Sequence, residues 1–236
     1  SDILDAWDIP EEGEKETLKA KNIIIATGSH PFTVPGVDLD GEKVVDYEDA
    51  ILRKELPESV VIIGGGAIGV EFATIWNGYG VDVTIVEMLD HLLPTEDESV
   101  AAELEKAYKK RKINVMTKSK VKVVETTDKG TKVTVETKDG EEVIEAELTL
   151  AAIGFKPNSK GLGLEEIGVT LDKRGFIEID EKMATSVKGI YAIGDVTGKL
   201  LLAHVAQAMG VVAAENIAGV ETVTLDYNMM PRATYS

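Results

Sequence analysis

The 236-residue sequence contains no cysteine. Disulfides, zinc–thiolate sites and thiol chemistry from these residues are therefore excluded at once. Aromatic residues make up only 5% of the chain, and positive charge is scarce. Against 42 aspartates and glutamates stand 25 lysines and arginines, a net charge of −17. Like charge repels at long range, so nucleic acid and anionic membrane are poor main partners. Long apolar runs are missing too. The longest, Ser59–Val70, is interrupted by four glycines and falls short of the roughly 20 residues that a spanning helix needs. The start, Ser1-Asp2-Ile3-Leu4-Asp5, lacks the basic and apolar regions of a signal peptide, which points to a cytoplasmic protein. No His/Asp/Glu cluster has metal-ligand spacing, and the acidic runs lack the EF-hand pattern, so no metal is expected. What is present is ordinary: 44% hydrophobic residues, enough for one large domain or two smaller ones.

Residues 1–20 are acidic and polar, a loop or an edge strand at best. Ile23-Ile24-Ile25-Ala26 is a short β-branched run stopped by Thr27-Gly28 and predicts a buried strand. Pro31, Pro35 and Gly36 mark a turn-rich connection and a domain boundary. Val60–Ile63 predicts a second buried strand. A helix to about Tyr79 follows, with Ile68, Phe72 and Ile75 spaced to face a sheet, and then a strand over Val81–Val86. Thr95-Glu96-Asp97-Glu98 has capping-box spacing and announces another helix with Val100, Leu104 and Tyr108 on its apolar face. From Val121 the period changes to two. Val121–Val124, Thr131–Val135 and Glu142–Ile144, separated by Gly130 and Asp139-Gly140, predict an antiparallel meander. Leu148–Ile153, Phe176–Ile179 and Ile190–Ile193 read as further strands, and Leu202–Ala218 as a helix. His30 and His91 read as surface loop residues without a role.

Gly64-x-Gly66-x-x-Gly69 sits after a strand and opens a helix, where its mechanics require it. The first glycine permits the tight turn, the second lets a pyrophosphate approach the backbone, and the third lets helix and strand pack closely. The phosphates would rest on the helix N-terminus, beside Ala67 and Ile68. Glu87 ends the next strand, 23 residues past Gly64, where an acid accepts hydrogen bonds from both ribose hydroxyls and repels a 2′-phosphate. NAD is expected rather than NADP, and no Lys or Arg lies between Lys54 and Lys106 to receive such a phosphate.

Three more segments surround this motif in order: Ala26-Thr27-Gly28, Ala152-x-Gly154-x-x-Pro157-Asn158, and Ile190-Tyr191-Ala192-Ile193-Gly194-Asp195. Together they resemble the flavoprotein disulfide reductases, in which an FAD domain is interrupted by an NAD domain. Gly69-Val70-Glu71-Phe72-Ala73, Leu93-Pro94-Thr95-Glu96-Asp97 and Leu202-Ala203-His204 are most similar to the dihydrolipoamide dehydrogenase branch. The resemblance runs from Lys19 onward. It implies an α/β fold: a Rossmann-like three-layer NAD-binding domain with an antiparallel β-meander, inserted into a partial FAD-binding domain.

The same resemblance assigns roles. Asp195, after Gly194, would accept hydrogen bonds from the flavin's ribityl chain, and Thr27 and Gly28 belong to the cofactor-binding set. Leu202, Ala203 and His204 open a helix whose dipole would stabilise negative charge at the flavin. Glu71 would lie near nicotinamide and flavin, Val121 would meet the adenine through its backbone, and Gly154 would pass the nicotinamide side. The implied domains are residues 1–36 (FAD remnant and linker), 37–157 (NAD domain), 158–229 (second FAD segment) and 230–236 (start of an interface domain). The implied parent reaction is oxidation of protein-bound dihydrolipoamide through an enzyme disulfide and FAD to NAD⁺, in a homodimer serving 2-oxo acid dehydrogenase complexes. The family's redox cysteines and its His–Glu base have no counterpart in these residues. A catalytically incompetent internal fragment with an incomplete FAD site is the expectation, and no catalytic residue is assigned. A mercuric reductase or NADH peroxidase relative, or a non-catalytic NAD-binding module, stays open as an alternative.

Overall fold

A computed structural model describes residues 18–236, so most of the expectation for residues 1–20 lies outside the described residues. In chain order the first elements are β1 (Ile23–Ile25), β2 (Ser29–Pro31), β3 (Val44–Val45), α1 (Tyr47–Leu52) and β4 (Ser59–Ile63). Next come α2 (Ala67–Gly78), β5 (Asp82–Val86), α3 (Glu98–Lys110) and β6 (Asn114–Met116). Strands β7 (Lys120–Thr127), β8 (Gly130–Thr137), β9 (Gly140–Ala146), β10 (Leu148–Ala151) and β11 (Phe155–Pro157) follow. The chain closes with β12 (Ile190–Ala192), a 3₁₀ turn over Gly194–Thr197 and α4 (Ala203–Ala218).

The centre is a five-stranded parallel sheet ordered β3-β10-β4-β5-β6. Its inner strands are apolar on both faces, which is why Val60–Ile63 reads as an unbroken run rather than an alternation. Val60 and Ile62 pack with Val70, Ala73, Trp76 and Tyr108 of the helices. Val61 and Ile63 point the other way, onto Val121, Val133 and Val135 of the antiparallel meander β7-β8-β9. Helices, sheet and meander are the three layers expected. The meander face also buries a polar pair: Thr131 Oγ1 donates to the Ala146 carbonyl at 3.3 Å and accepts from Thr149 Oγ1 at 2.7 Å.

The segments on either side of this unit meet again. β1 pairs in parallel with β12, and β2 pairs antiparallel with β11. The central unit is therefore an insertion, entered after β2 and left at β11. Ile25, Ala192, Val196 and Ile177 form one small core beside it, and Met183, Val205, Met209 and Val212 form another under α4.

Several local expectations are corrected. The N-cap of α3 is Asp97, whose carboxylate accepts from the Ser99 N–H at 2.8 Å, and Thr95 lies outside the helix. Its buried face is Ala101 and Tyr108, whereas Val100 is exposed. In α2 the buried positions are Gly69, Val70, Ala73 and Trp76; Ile75 faces solvent and Phe72 packs at the core's edge. The phase is set by Gly69, which must lie against the glycine loop. Phe176–Ile179 forms no strand, only an isolated bridge from Ile177 to Leu171. Phe176 instead gives its N–H to the Asp172 carboxylate, and Ile177 gives its N–H to the Val196 carbonyl.

Candidate functional site

The site forms where β4 ends. Gly64 has φ +106, and an added Cβ would run into the Ala152 carbonyl just beyond β10, so only glycine makes this turn. Gly69 lies against the Gly64 carbonyl itself, with no room for a side chain between helix and loop. Gly66 differs. It caps α2 with no side-chain hydrogen bond, and a Cβ there would point into open space. The first turn of α2 carries no acid, so its free N–H groups and positive dipole end are available to an anion.

The strand order branches between β4 and β10, because α2 leads from β4 to β5 on one side while β10 pairs on the other. In open α/β sheets a crevice at such a switch point is the expected place for a ligand. A cleft of about 900 Å³ lies there. It runs from Glu87 and Leu89 after β5, past Gly64 and Gly66, to Gly154 after β10 and Tyr47 after β3.

Glu87 is buried at one end of this cleft. Its Oε2 accepts from the Gly65 N–H at 2.6 Å and its Oε1 from the Leu89 N–H at 2.7 Å. The two amides pin the carboxylate, and each oxygen keeps a lone pair for a further donor. Gly65 is part of the same arrangement, since a Cβ there would fall 2.5 Å from Leu92 Cδ2 and 3.2 Å from Glu87 Oε2. The meander brings Lys120 and Lys122 to the cleft as well. Lys122 pairs with Glu136 at 3.3 Å, while Lys120 is exposed. The absence of cations between Lys54 and Lys106 therefore does not hold in space.

Of the residues singled out from the sequence, Gly64, Gly66, Ala67, Ile68, Glu87, Val121 and Gly154 all line this one cleft. Gly154 has φ +128 and open space where a side chain would be. Gly69 lies beneath the loop. Glu71 does not line the cleft; its Oε1 accepts from the Tyr235 N–H at 2.8 Å.

The remaining residues gather in a second cluster. Asp195 is half-buried and its Oδ2 accepts from Ser29 Oγ at 3.0 Å. Gly194 is buried with φ +70. The Thr27–Gly28 turn is clamped by Asn158, which takes a hydrogen bond from Thr27 Oγ1 at 2.7 Å and gives its own N–H to the Gly28 carbonyl at 2.9 Å. His30 joins this clamp, its Nδ1 lying 2.6 Å from Asn158 Oδ1. Leu202 caps α4 without a side-chain bond, leaving the exposed first turn of Ala203 and His204 open, and His204 Nε2 meets the Pro231 carbonyl at 3.0 Å.

Tyr47 and Phe155, invisible to the motifs, stand between the two clusters with their rings 5.8 Å apart, edge to face. Burial, followed by the carboxylates of Glu48, Asp46 and Asp195, holds the Tyr47 phenol above its ordinary pKa of 10, so it stays protonated. A second hollow of about 620 Å³, between Glu58, the β7–β8 turn and Glu145–Glu147, contains none of the residues singled out. Among the described residues no group of His, Asp or Glu could hold a metal, and no helix is long and apolar enough to cross a membrane.

A family model described as pyridine nucleotide-disulphide oxidoreductase matches residues 5–210. A dihydrolipoyl dehydrogenase of Mycobacterium leprae is 52% identical over 230 residues, 96% of this chain and 48% of its own length. That of Corynebacterium glutamicum is 48% identical over 223 residues, 93% of this chain and 47% of its own. The crystal structure of LpdA from Mycobacterium tuberculosis matches with a TM-score of 0.85 at 32% identity, over 91% of this chain and 46% of that one. The chain thus spans about half the length of the curated relatives it matches.

Proposed function

The chain belongs to the pyridine nucleotide-disulphide oxidoreductase family, and from that premise we propose that the cleft over β4 and β10 binds NAD and the Asp195–α4 cluster the flavin end of FAD. The residues fit the nucleotide. Gly66 leaves open space at an uncapped helix N-terminus, where a pyrophosphate finds free N–H donors. Glu87 would accept from the ribose hydroxyls, Val121 would offer its backbone to the adenine, and Gly154 would give the nicotinamide close passage. On the other side, Asp195 would hold the ribityl chain beside Thr27 and Gly28. The N–H groups at Ala203 and His204 would face the flavin's negative edge. Glu71, outside the cleft and held by the Tyr235 N–H, would approach the nicotinamide and flavin once that hydrogen bond is released.

When bound, NAD and FAD supply the hydride chemistry; the protein binds, orients and excludes water. The whole-length activity we assign is that of a dihydrolipoyl dehydrogenase, oxidising protein-bound dihydrolipoamide through an enzyme disulfide and FAD to NAD⁺. These 236 residues contribute no thiol to that sequence. The proposed domains are 1–36 and 158–229 for FAD, 37–157 for NAD and 230–236 leading into an interface domain. A cytoplasmic homodimer working with 2-oxo acid dehydrogenase complexes is part of the same proposal, supported by the likeness to dihydrolipoyl dehydrogenases.

The observation that carries this reading is the Glu87 carboxylate, held by Gly65 and Leu89 at the end of a cleft whose other end is Gly154. A buried fixed charge acts through less solvent than the exposed Lys120 ammonium, so repulsion of a 2′-phosphate prevails. Calorimetric titration is expected to give NAD⁺ a dissociation constant at least about tenfold below that of NADP⁺, roughly the worth of one charged hydrogen bond. Equal or tighter NADP⁺ binding would overturn the assignment of Glu87.

A further inference from the structure

The cleft has a wall that no motif announces. β3 is the edge strand beyond β10, and α1 begins directly after it, so the first residue of α1 is carried to the end of the cleft farthest from Glu87. That residue is Tyr47. Its place is fixed by Asp46, which caps α1 by accepting from the N–H groups of Glu48 at 2.8 Å and Asp49 at 3.2 Å. The phenol donates to Glu48 Oε1 at 2.9 Å. Phe155, the residue after Gly154, meets the Tyr47 ring at an interplanar angle of 62°. One end of the cleft therefore carries a carboxylate suited to a ribose, and the other carries two aromatic rings. Phe155 pairs with Pro31 in the β2–β11 ladder, whose other end, Ser29, gives its hydroxyl to Asp195.

We infer that Tyr47, backed by Phe155, is the wall against which the nicotinamide ring of bound NAD rests, a positioning residue between the pyridine ring and the Asp195 side. The inference rests on reading the cleft as an NAD site. An aromatic face attracts a cationic ring through its quadrupole, and the oxidised nicotinamide is such a ring. The contact belongs to the nicotinamide half of the ligand alone. ADP-ribose, which carries everything but that ring, does not reach it.

The test titrates the full 236-residue chain and its Tyr47→Phe and Tyr47→Leu variants with NAD⁺ and with ADP-ribose. Tyr47→Leu is expected to weaken NAD⁺ about five- to tenfold and leave ADP-ribose unchanged. Tyr47→Phe, which keeps the ring, is expected to bind both as the unmodified chain does. In the unmodified chain, nuclear Overhauser contacts are expected between nicotinamide protons and the Tyr47 ring. These need no variant, and they decide the matter if Tyr47→Leu fails to fold. Equal effects on both ligands in a folded Tyr47→Leu chain, no effect on either, or missing Overhauser contacts with NAD⁺ bound overturn the inference. Failure of the unmodified chain to bind either ligand would instead overturn the reading of the cleft.

Discussion

Gly64→Ala is expected to abolish measurable NAD⁺ binding and to destabilise the central unit by about 3 kcal/mol. Two effects add. Alanine at φ +106 is strained by about 1–2 kcal/mol. Its Cβ also collides with the Ala152 carbonyl, a backbone atom that cannot swing aside because Ala152 gives its N–H to Ile63 at 2.8 Å. A shift of β10 against β4 would disturb the ladder that carries Val60, Ile62, Leu148 and Leu150 into the core. Gly66→Ala makes the contrast. Gly66 has φ −73 and open space around its would-be Cβ. Alanine there is expected to leave folding unchanged or improve it by a few tenths of a kcal/mol, while filling the space meant for phosphate. Urea unfolding beside NAD⁺ titration separates the two, and equal destabilisation by both variants would refute this account of the loop.

Glu87→Gln is expected to weaken NAD⁺ by about 10- to 100-fold, the loss of hydrogen bonds to a charged acceptor. The side chain keeps its size, but its amide turns a donor toward either the Gly65 or the Leu89 N–H, two donors that the carboxylate now satisfies. Stability should fall by about 1–3 kcal/mol, because one buried N–H is left unpaired. NADP⁺ should lose less than NAD⁺, since the repulsion of its 2′-phosphate disappears together with the attraction. Calorimetry with both nucleotides checks this. An unchanged ratio would remove Glu87 from the ribose site.

Where a local pattern and a tertiary demand coincide, the sequence was legible. The Val60–Ile63 run and the three glycines after it are both consequences of a buried parallel strand turning into a helix, and each constrains the same backbone. The meander was legible because β7, β8 and β9 are neighbours in sequence, joined at Gly130 and Gly140. Elsewhere the deciding partner is remote. Thr95 and Asp97 are both competent caps, and the turn that closes Glu96 onto the Leu93 carbonyl leaves the start of α3 to Asp97. Phe176–Ile179 has a strand's composition, but its backbone donors are taken by Asp172 and Val196. Tyr47, Lys120 and Lys122 reach the cleft only because β3 ends and β7 begins there, which no spacing along the chain encodes. Ile68, Phe72 and Ile75 are periodic, but the contact of Gly69 with Gly64 rotates α2 toward Val70, Ala73 and Trp76.

Amide chemical-shift mapping of the isotopically labelled chain during NAD⁺ titration tests the central claim most directly. Shifts are expected to concentrate at Gly65, Gly66, Ala67, Leu89, Ala152 and Gly154, the loop and strand ends that border the cleft, with Thr127–Thr131 at the opposite end of the strands unmoved. Shifts gathered around Thr127–Thr131 and Glu145–Glu147, or none at Gly66 and Gly154 at saturating NAD⁺, would contradict it.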